Sequence, residues 1–231
     1  MTAADPAASR LSWDEYVAAW SSLHGGVDPN AMAPLVRGWL RLAYGGGSLL
    51  GRLGAGPNAV TATGLLLCAG VPFVAVQGPV GLLVGAVLVL LAGVADSLDG
   101  AVAVVTGKVS RIGFVYDSVA DRLGEAAWLA AFWLAGAPGP LVVLGGAACW
   151  LHEYIRARSA GAGMRGIGEV TVAERPTRVS VALVGLLLAG ASGLLRPELA
   201  VSTVTLAAVA WLAFAVFGLG QLLTAVRRDL R

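Results

Sequence analysis

The chain has 231 residues, of which 57% are hydrophobic and 13% charged, and its 16 basic and 14 acidic residues leave a formal charge of +2. That charged share is about half the ~25% of an ordinary soluble domain, which excludes that class and indicates an integral membrane protein. No nucleic-acid partner is expected.

Residues 1–10 are polar and lack a basic start followed by an apolar core and a cleavage site, so no signal peptide is expected. Residues 11–24 and 34–53 interleave Trp, Tyr and Leu with charges, a pattern that predicts amphipathic helices lying on the inner leaflet. Apolar runs then follow at 59–78, 80–105, 113–136, 138–158, 179–195 and 199–226, each near the ~20 residues that a helix needs to cross a bilayer. The expected fold class is therefore an all-α integral membrane protein with six transmembrane helices and an N-terminal amphipathic juxtamembrane helix. An interfacial segment over 1–54 would precede one membrane domain over 55–231. Gly78-Pro79, the stretch from Gly136 to Pro140, and Arg196-Pro197 supply short turns.

Basic residues orient these spans. Arg37, Arg41, Arg52, Lys108, Arg111, the arginines between Arg156 and Arg178, and Arg227, Arg228 and Arg231 all fall in loops of one sidedness, and Arg196 alone falls opposite. The positive-inside rule places both termini and the 156–178 connection in the cytoplasm, in a multi-pass protein of the cell membrane. Cys68 and Cys149 are isolated in apolar runs, with no disulfide or metal-ligand spacing, and are expected to be small core residues.

Four acids break the apolar pattern. Asp96 and Asp99 are three residues apart at the end of the second run, and Asp117 and Asp121 are four apart on the third, spacings that put each pair on one helix face. Carboxylates in hydrocarbon are costly and mark a functional site, and several together require cations between them. Oxygen ligands suit Mg²⁺ or Mn²⁺. Gly100, Ala103 and Gly113 are small residues at the same level, a floor on which a flat nucleotide base could lie. Arg122 and Glu125 are spaced as a within-helix ion pair, and His152 at the end of the fourth run is expected to be a cap or surface residue.

The pattern Asp-x2-Asp-Gly-x2-Ala-x9-Gly-x3-Asp-x3-Asp, here Asp96, Asp99, Gly100, Ala103, Gly113, Asp117 and Asp121, resembles the signature of the CDP-alcohol phosphotransferases. Residues 57–61, from Pro57-Asn58 to Thr61, are similar to the start of that family's first span. Tyr154-Ile155-Arg156-Ala157-Arg158 with Glu174-Arg175-Pro176-Thr177-Arg178 resembles a segment of its phosphatidylinositol-phosphate synthase branch. The resemblance implies transfer of a substituted phosphate from a CDP-linked lipid or alcohol donor to a polar alcohol acceptor, with release of CMP, in phospholipid synthesis. It also implies two metal ions and a homodimer. By the same carry-over, Asp96, Asp99, Asp117 and Asp121 would bind metal, and Asp121 would be ligand or general base. Gly100, Ala103, Gly113, Asn58, Thr61 and Arg111 would contact the nucleotide. Arg156 and Arg178, with Arg158 and Arg175, would hold an anionic acceptor, although the positive-inside rule alone also accounts for basic residues there.

The chain departs from the pattern twice: Val104 follows Ala103 where the family usually has Arg, and Gln221-Leu222 stands where the synthase branch has a Gln-Arg pair. Two other readings stay open. One is a homologue that binds metal and CDP-alcohol without efficient turnover. The other is a cation-coupled transporter, which would also carry intramembrane acids but usually shows internal repeats and helices broken at the midplane.

Overall fold

The computed structural model describes residues 11–164 and 171–231. The leader 1–10, and Arg165 and Gly166 of the connection assigned to the cytoplasm, lie outside the described residues. Elsewhere the chain is helical: α1 (Trp13–Leu23), a 3-10 turn (Pro29–Ala31), α2 (Pro34–Arg52), α3 (Pro57–Ala75), α4 (Pro79–Val105), α5 (Arg111–Leu134), α6 (Gly139–Gly161), α7 (Arg175–Leu195) and α8 (Pro197–Asp229).

Proline punctuates these boundaries. Pro34, Pro57, Pro79 and Pro197 open their helices, and Pro140 and Pro176 occupy the second position of theirs. A first-turn proline costs nothing, because its missing N–H would have had no helical partner and its fixed φ is already helical. α1 instead begins with a capping box, in which the Ser12 hydroxyl accepts from Glu15 N and the Glu15 carboxylate accepts from Ser12 N at 2.7 Å. These bonds hold the Glu15 carboxyl below its usual value.

Among the described residues, four helices are long and apolar enough to cross a membrane: α3, α4, α7 and α8. The sequence predicts six spans. α5 and α6 stand where two of these are predicted, but α5 carries Asp117, Asp121, Arg122 and Glu125, and α6 carries His152, Glu153, Arg156 and Arg158.

The chain divides into two compact units, one of residues 1–63 with 94–118 and the other of residues 64–93 with 119–231. In the first unit, α2 lies on the second half of α4. A Cβ on Gly47 would stand 2.8 Å from Ala101 Cβ and 3.0 Å from its backbone, so only glycine permits this approach. The Trp39 indole N–H donates to Ser97 Oγ at 3.1 Å on the same pair of helices. α1 closes over the far end: Tyr16, Ala43, Ala101 and Val104 form a buried apolar cluster, with Trp13 and Tyr44 packed on it. Burial pushes the Tyr16 phenol up to about 12.

In the second unit the core runs through Val71, Val89, Trp128, Phe132, Leu186, Val204 and Trp211, and Cys68 and Cys149 are buried in it as free thiols. α7 presents Ala182, Gly185, Ala189, Gly190 and Gly193 as buried small residues. With lipid on the outside there is little hydrophobic drive between helices, so close backbone packing over small residues holds such pairs together.

Candidate functional site

The x9 spacing of the signature is used by one turn. α4 ends with Gly107 in the left-handed region at φ +64°, while Lys108 N bonds back to Ala103 O at 2.9 Å. This is the hydrogen bond of a glycine-terminated helix end. Ser110 then starts α5, its hydroxyl accepting from Gly113 N at 3.0 Å. Asp99 lies six residues before the end of α4 and Asp117 six residues after the start of α5. At 1.5 Å per residue both stand about 9 Å from the turn, at one level on antiparallel helices.

The consequence is an acidic cluster. One carboxylate oxygen from each of Asp96, Asp99 and Asp117 lies within 4.8 Å of the others, and Asp99 is buried at 6% exposure. The Thr61 hydroxyl on α3 lies 2.6 Å from Asp99 Oδ2 and donates to it, which orients that carboxylate within the cluster. Three anionic oxygens at such a separation match the demand of a divalent cation with metal–oxygen bonds of ~2.1 Å, and an oxygen-only set selects the hard ions Mg²⁺ and Mn²⁺.

The residues expected at the nucleotide lie in the same unit. A Cβ on Gly100 would meet nothing within 4 Å, so the α4 backbone is open there. Gly113 faces Ser110 and Asn58, whose Oδ1 would lie 3.7 Å from an added Cβ. Ala103 is half-buried, and Arg111, the first residue of α5, is exposed. Val104, at the position where the family usually has Arg, is buried under Tyr16 and Ala43.

Asp121 lies one turn beyond Asp117 on α5 and meets a different environment. It pairs with Arg175, the first residue of α7, and lies 3.7 Å from Arg122 Nη2. Around it the second unit carries a network of acids and guanidinium groups. Arg122 reaches Glu125 at 2.8 Å and Glu153 at 3.0 Å, so the within-helix pair predicted from spacing forms, and a second helix, α6, joins it. Arg178 is buried, 3% exposed, and all three of its nitrogens are engaged: Nη1 donates to both oxygens of Glu125 at 2.9 and 3.1 Å, Nη2 to Glu153 at 2.6 Å, and Nε to Ala173 O at 2.7 Å. These bonds use four of the five N–H donors, so Arg178 as it stands offers a phosphate at most one. Arg156 pairs with Glu174, and Arg158 is exposed.

His152 is a correction. It was expected to be a cap or surface residue, yet it is fully buried, with Nε2 3.0 Å from the Thr171 hydroxyl. Charge pattern alone could not reveal this, because its partner lies nineteen residues on, across the α6–α7 connection. Sequence reasoning also passed over Glu153, Thr171 and Glu174. The available signal was an unusual density of acids facing the arginines, since buried charges come with partners.

The chain is similar to known proteins in sequence and in fold. The profile of the CDP-alcohol phosphatidyltransferase family matches residues 55–226. A phosphatidylinositol phosphate synthase of Mycolicibacterium smegmatis is 38% identical over 145 residues, covering 58% of this chain and 62% of that protein. An archaetidylinositol phosphate synthase of Aeropyrum pernix is 32% identical over 150 residues, covering 64% of this chain and 74% of its own length. The chain thus spans less than two thirds of the first of these relatives. The fold is similar to crystal structures of the Mycobacterium tuberculosis phosphatidylinositol phosphate synthase. The one with CDP-DAG bound has a TM-score of 0.64 at 29% identity, covering 80% of this chain and 94% of that one. The one in complex with manganese and citrate has a TM-score of 0.64 at 28% identity, covering 82% and 88%. With Asp96, Asp99 and Asp117 of the signature brought together and the family profile spanning most of the sequence, this chain belongs to the CDP-alcohol phosphatidyltransferase family.

Proposed function

We propose that the protein transfers the phosphatidyl group of CDP-diacylglycerol to a hydroxyl of a polar, phosphorylated alcohol such as inositol phosphate, releasing CMP. The observation that carries this reading is the convergence of Asp96, Asp99 and Asp117 within 4.8 Å in a chain whose surroundings are apolar. Support for the donor and acceptor comes from relatives named as phosphatidylinositol phosphate synthases and from the neighbouring structures with CDP-DAG and with manganese.

In this reading Asp96, Asp99 and Asp117, with Asp121, hold two Mg²⁺ or Mn²⁺ ions. When bound, the ions neutralise the attacking and departing oxygens of a phosphoryl displacement. The protein's own groups do the rest. Gly100, Ala103 and Gly113 bed the cytidine, Asn58 and Thr61 lie beside them, and Arg111 contacts the diphosphate. The acceptor oxygen forms a bond to the β-phosphorus as the bond from that phosphorus to the bridging oxygen breaks, and CMP leaves with the bridging oxygen. Asp121 receives the hydroxyl proton, a task for a carboxylate within hydrogen-bond reach. Arg156, Arg158 and Arg175 hold the acceptor's anionic group, because guanidinium forks match phosphate geometry, while Arg178 anchors them from the interior or joins by partner exchange.

The proposal extends to the membrane. α5 and α6 cross together with the four more apolar helices, giving six spans over 55–231, with residues 1–54 on the cytoplasmic face of the cell membrane and the site facing the cytoplasm. Exposed Leu35, Leu42 and Leu53 on and beside α2, alongside Arg37 and Arg41, support an interfacial position. A homodimer is the expected assembly. Ala137→Cys, Arg165→Cys and Pro197→Cys test the topology by labelling of intact cells, and labelling at 165 from outside would end the six-span reading.

The decisive experiment incubates purified protein with CDP-diacylglycerol, Mg²⁺ or Mn²⁺ and a panel of polyols and their phosphates, following CMP release. Release that depends on a phosphorylated alcohol supports the assignment, and no release with any acceptor overturns it. Burial of Val104 in an apolar cluster favours a second reading, a homologue that binds CDP-alcohol and metal without efficient turnover. Binding without CMP release would identify it.

A further inference from the structure

The last four residues before α7, 171–174, are held from three helices. From α8, Gln221 Oε1 accepts from Val172 N at 2.9 Å. Gly218 leaves room for Ala173, since an added Cβ would collide with Ala173 Cβ and lie 2.9 Å from its backbone nitrogen. From α7, Arg178 Nε donates to Ala173 O. From α6, His152 reaches the Thr171 hydroxyl and Arg156 reaches Glu174. Thr171 and Ala173 are accordingly buried.

Thr171 has one hydroxyl proton, and its Oγ lies 3.0 Å from Glu174 Oε1, an acceptor that already receives Thr171 N at 3.0 Å. The hydroxyl donates to Glu174, so the bond from His152 must be an Nε2–H donated to Thr171 Oγ. A chain His152 → Thr171 → Glu174 ← Arg156 results, and it converges on a single carboxylate oxygen. That oxygen fixes Nη2 of Arg156, while Arg156 Nε is buried with no hydrogen-bond partner. A guanidinium pinned by one nitrogen on a side chain that is still 25% exposed is oriented yet within reach of an anion. Arg178, by contrast, has every nitrogen engaged.

We propose that Glu174 is a positioning residue for the acceptor, with Thr171 and His152 behind it: it holds the Arg156 guanidinium in the orientation that receives the acceptor's phosphate. This rests on the functional reading above and deepens it. Arg156 carries a long side chain, and an unrestrained arginine loses rotamer freedom when it binds, so a carboxylate that has already ordered it lowers the cost of capture. Glu174 acts through Arg156 and not on the substrate, and its loss should therefore appear in acceptor binding and not in the chemical step.

The test compares Glu174→Ala, Glu174→Gln and His152→Ala in the Mn²⁺-loaded full-length protein, with CMP release measured against inositol phosphate and CDP-diacylglycerol in turn. Calorimetric titration of inositol phosphate gives a reading independent of turnover. Glu174→Ala should raise the KM and Kd for inositol phosphate about tenfold, with kcat and the donor KM within about twofold. Glu174→Gln keeps the oxygen that accepts from Thr171 and Arg156, and it should recover most of the loss. His152→Ala should give a smaller shift of the same kind. An inositol phosphate KM and Kd unchanged in Glu174→Ala, or a donor KM shifted by the same factor, overturns the inference alone. A parent protein that neither binds inositol phosphate nor prefers a phosphorylated acceptor overturns the functional reading and this inference with it.

Discussion

The two units handle buried acids in opposite ways. In the unit of residues 1–63 and 94–118, three aspartates are brought together by a helical turn and hold their oxygens within 4.8 Å of one another. In the unit of residues 64–93 and 119–231, each of Glu125, Glu153, Glu174 and Asp121 meets at least one guanidinium from another helix or from its own. Like charges gathered together are stabilised when a cation arrives, whereas opposite charges already paired are complete as they stand. The first arrangement therefore suits a cation site, and the second holds its charged groups in fixed positions relative to one another, although both read in the sequence as charges interrupting apolar helices.

The contrast is broken most severely at the aspartates. Asp96→Asn or Asp117→Asn should lower CMP release by about 10²–10⁴-fold or more, because the displacement loses a metal-holding oxygen. Thermal unfolding in detergent, measured in parallel, separates loss of the metal-holding oxygen from loss of the fold. Chelator should abolish release in the parent and Mg²⁺ or Mn²⁺ should restore it. A variant that turns over normally would move the metal site elsewhere.

Arg178→Ala should do the reverse, with the damage falling on stability first. It leaves Glu125 buried with less compensation, and breaking a buried pair on one side costs about 3–5 kcal/mol. The sharper test is the double variant Arg178→Met with Glu125→Leu. It removes one charge of each sign and leaves the Arg122–Glu153 pair at 3.0 Å, so much of the lost stability should return. A double variant as unstable as the single one would show that the network has a role beyond neutralisation.

Two smaller effects test the first unit. Thr61→Val removes the 2.6 Å hydrogen bond that orients Asp99 and should weaken Mn²⁺ binding about 10–100-fold, as measured by calorimetry. Gly47→Ala would place a methyl 2.8 Å from Ala101 Cβ, and overpacking of this kind costs about 1–3 kcal/mol. Its thermal midpoint should fall, and the metal affinity should follow if α2 fixes the register of α4.

Most of the helix boundaries were legible because prolines and glycines mark them directly: α4 runs over Pro79–Val105 where the apolar run spans 80–105. The aspartates were legible for a similar reason, since helical spacing and one turn determine their meeting. The acid and guanidinium network was only partly so. Arg122 and Glu125 share a helix and could be paired by spacing, but Arg178 with Glu125 joins residues fifty-three apart, and His152 with Thr171 joins residues on either side of a long connection. No periodicity encodes such pairs. The direction of an arginine depends on which acids tertiary packing puts beside it, and so Arg178, expected to face the acceptor, is turned inward.

Gly47 and Gly218 have a further implication for how variation can enter this protein. Each is a point where two backbones nearly touch, α2 against α4 and α8 against residues 171–174, and at each any side chain larger than hydrogen must push on a functional segment. A substitution at either place changes no charged group, yet it acts on the aspartate-bearing α4 in one case and on residues 171–174 in the other. Loss of function in this chain can therefore arise at positions that carry no chemistry, and an inventory of charged residues would overlook both.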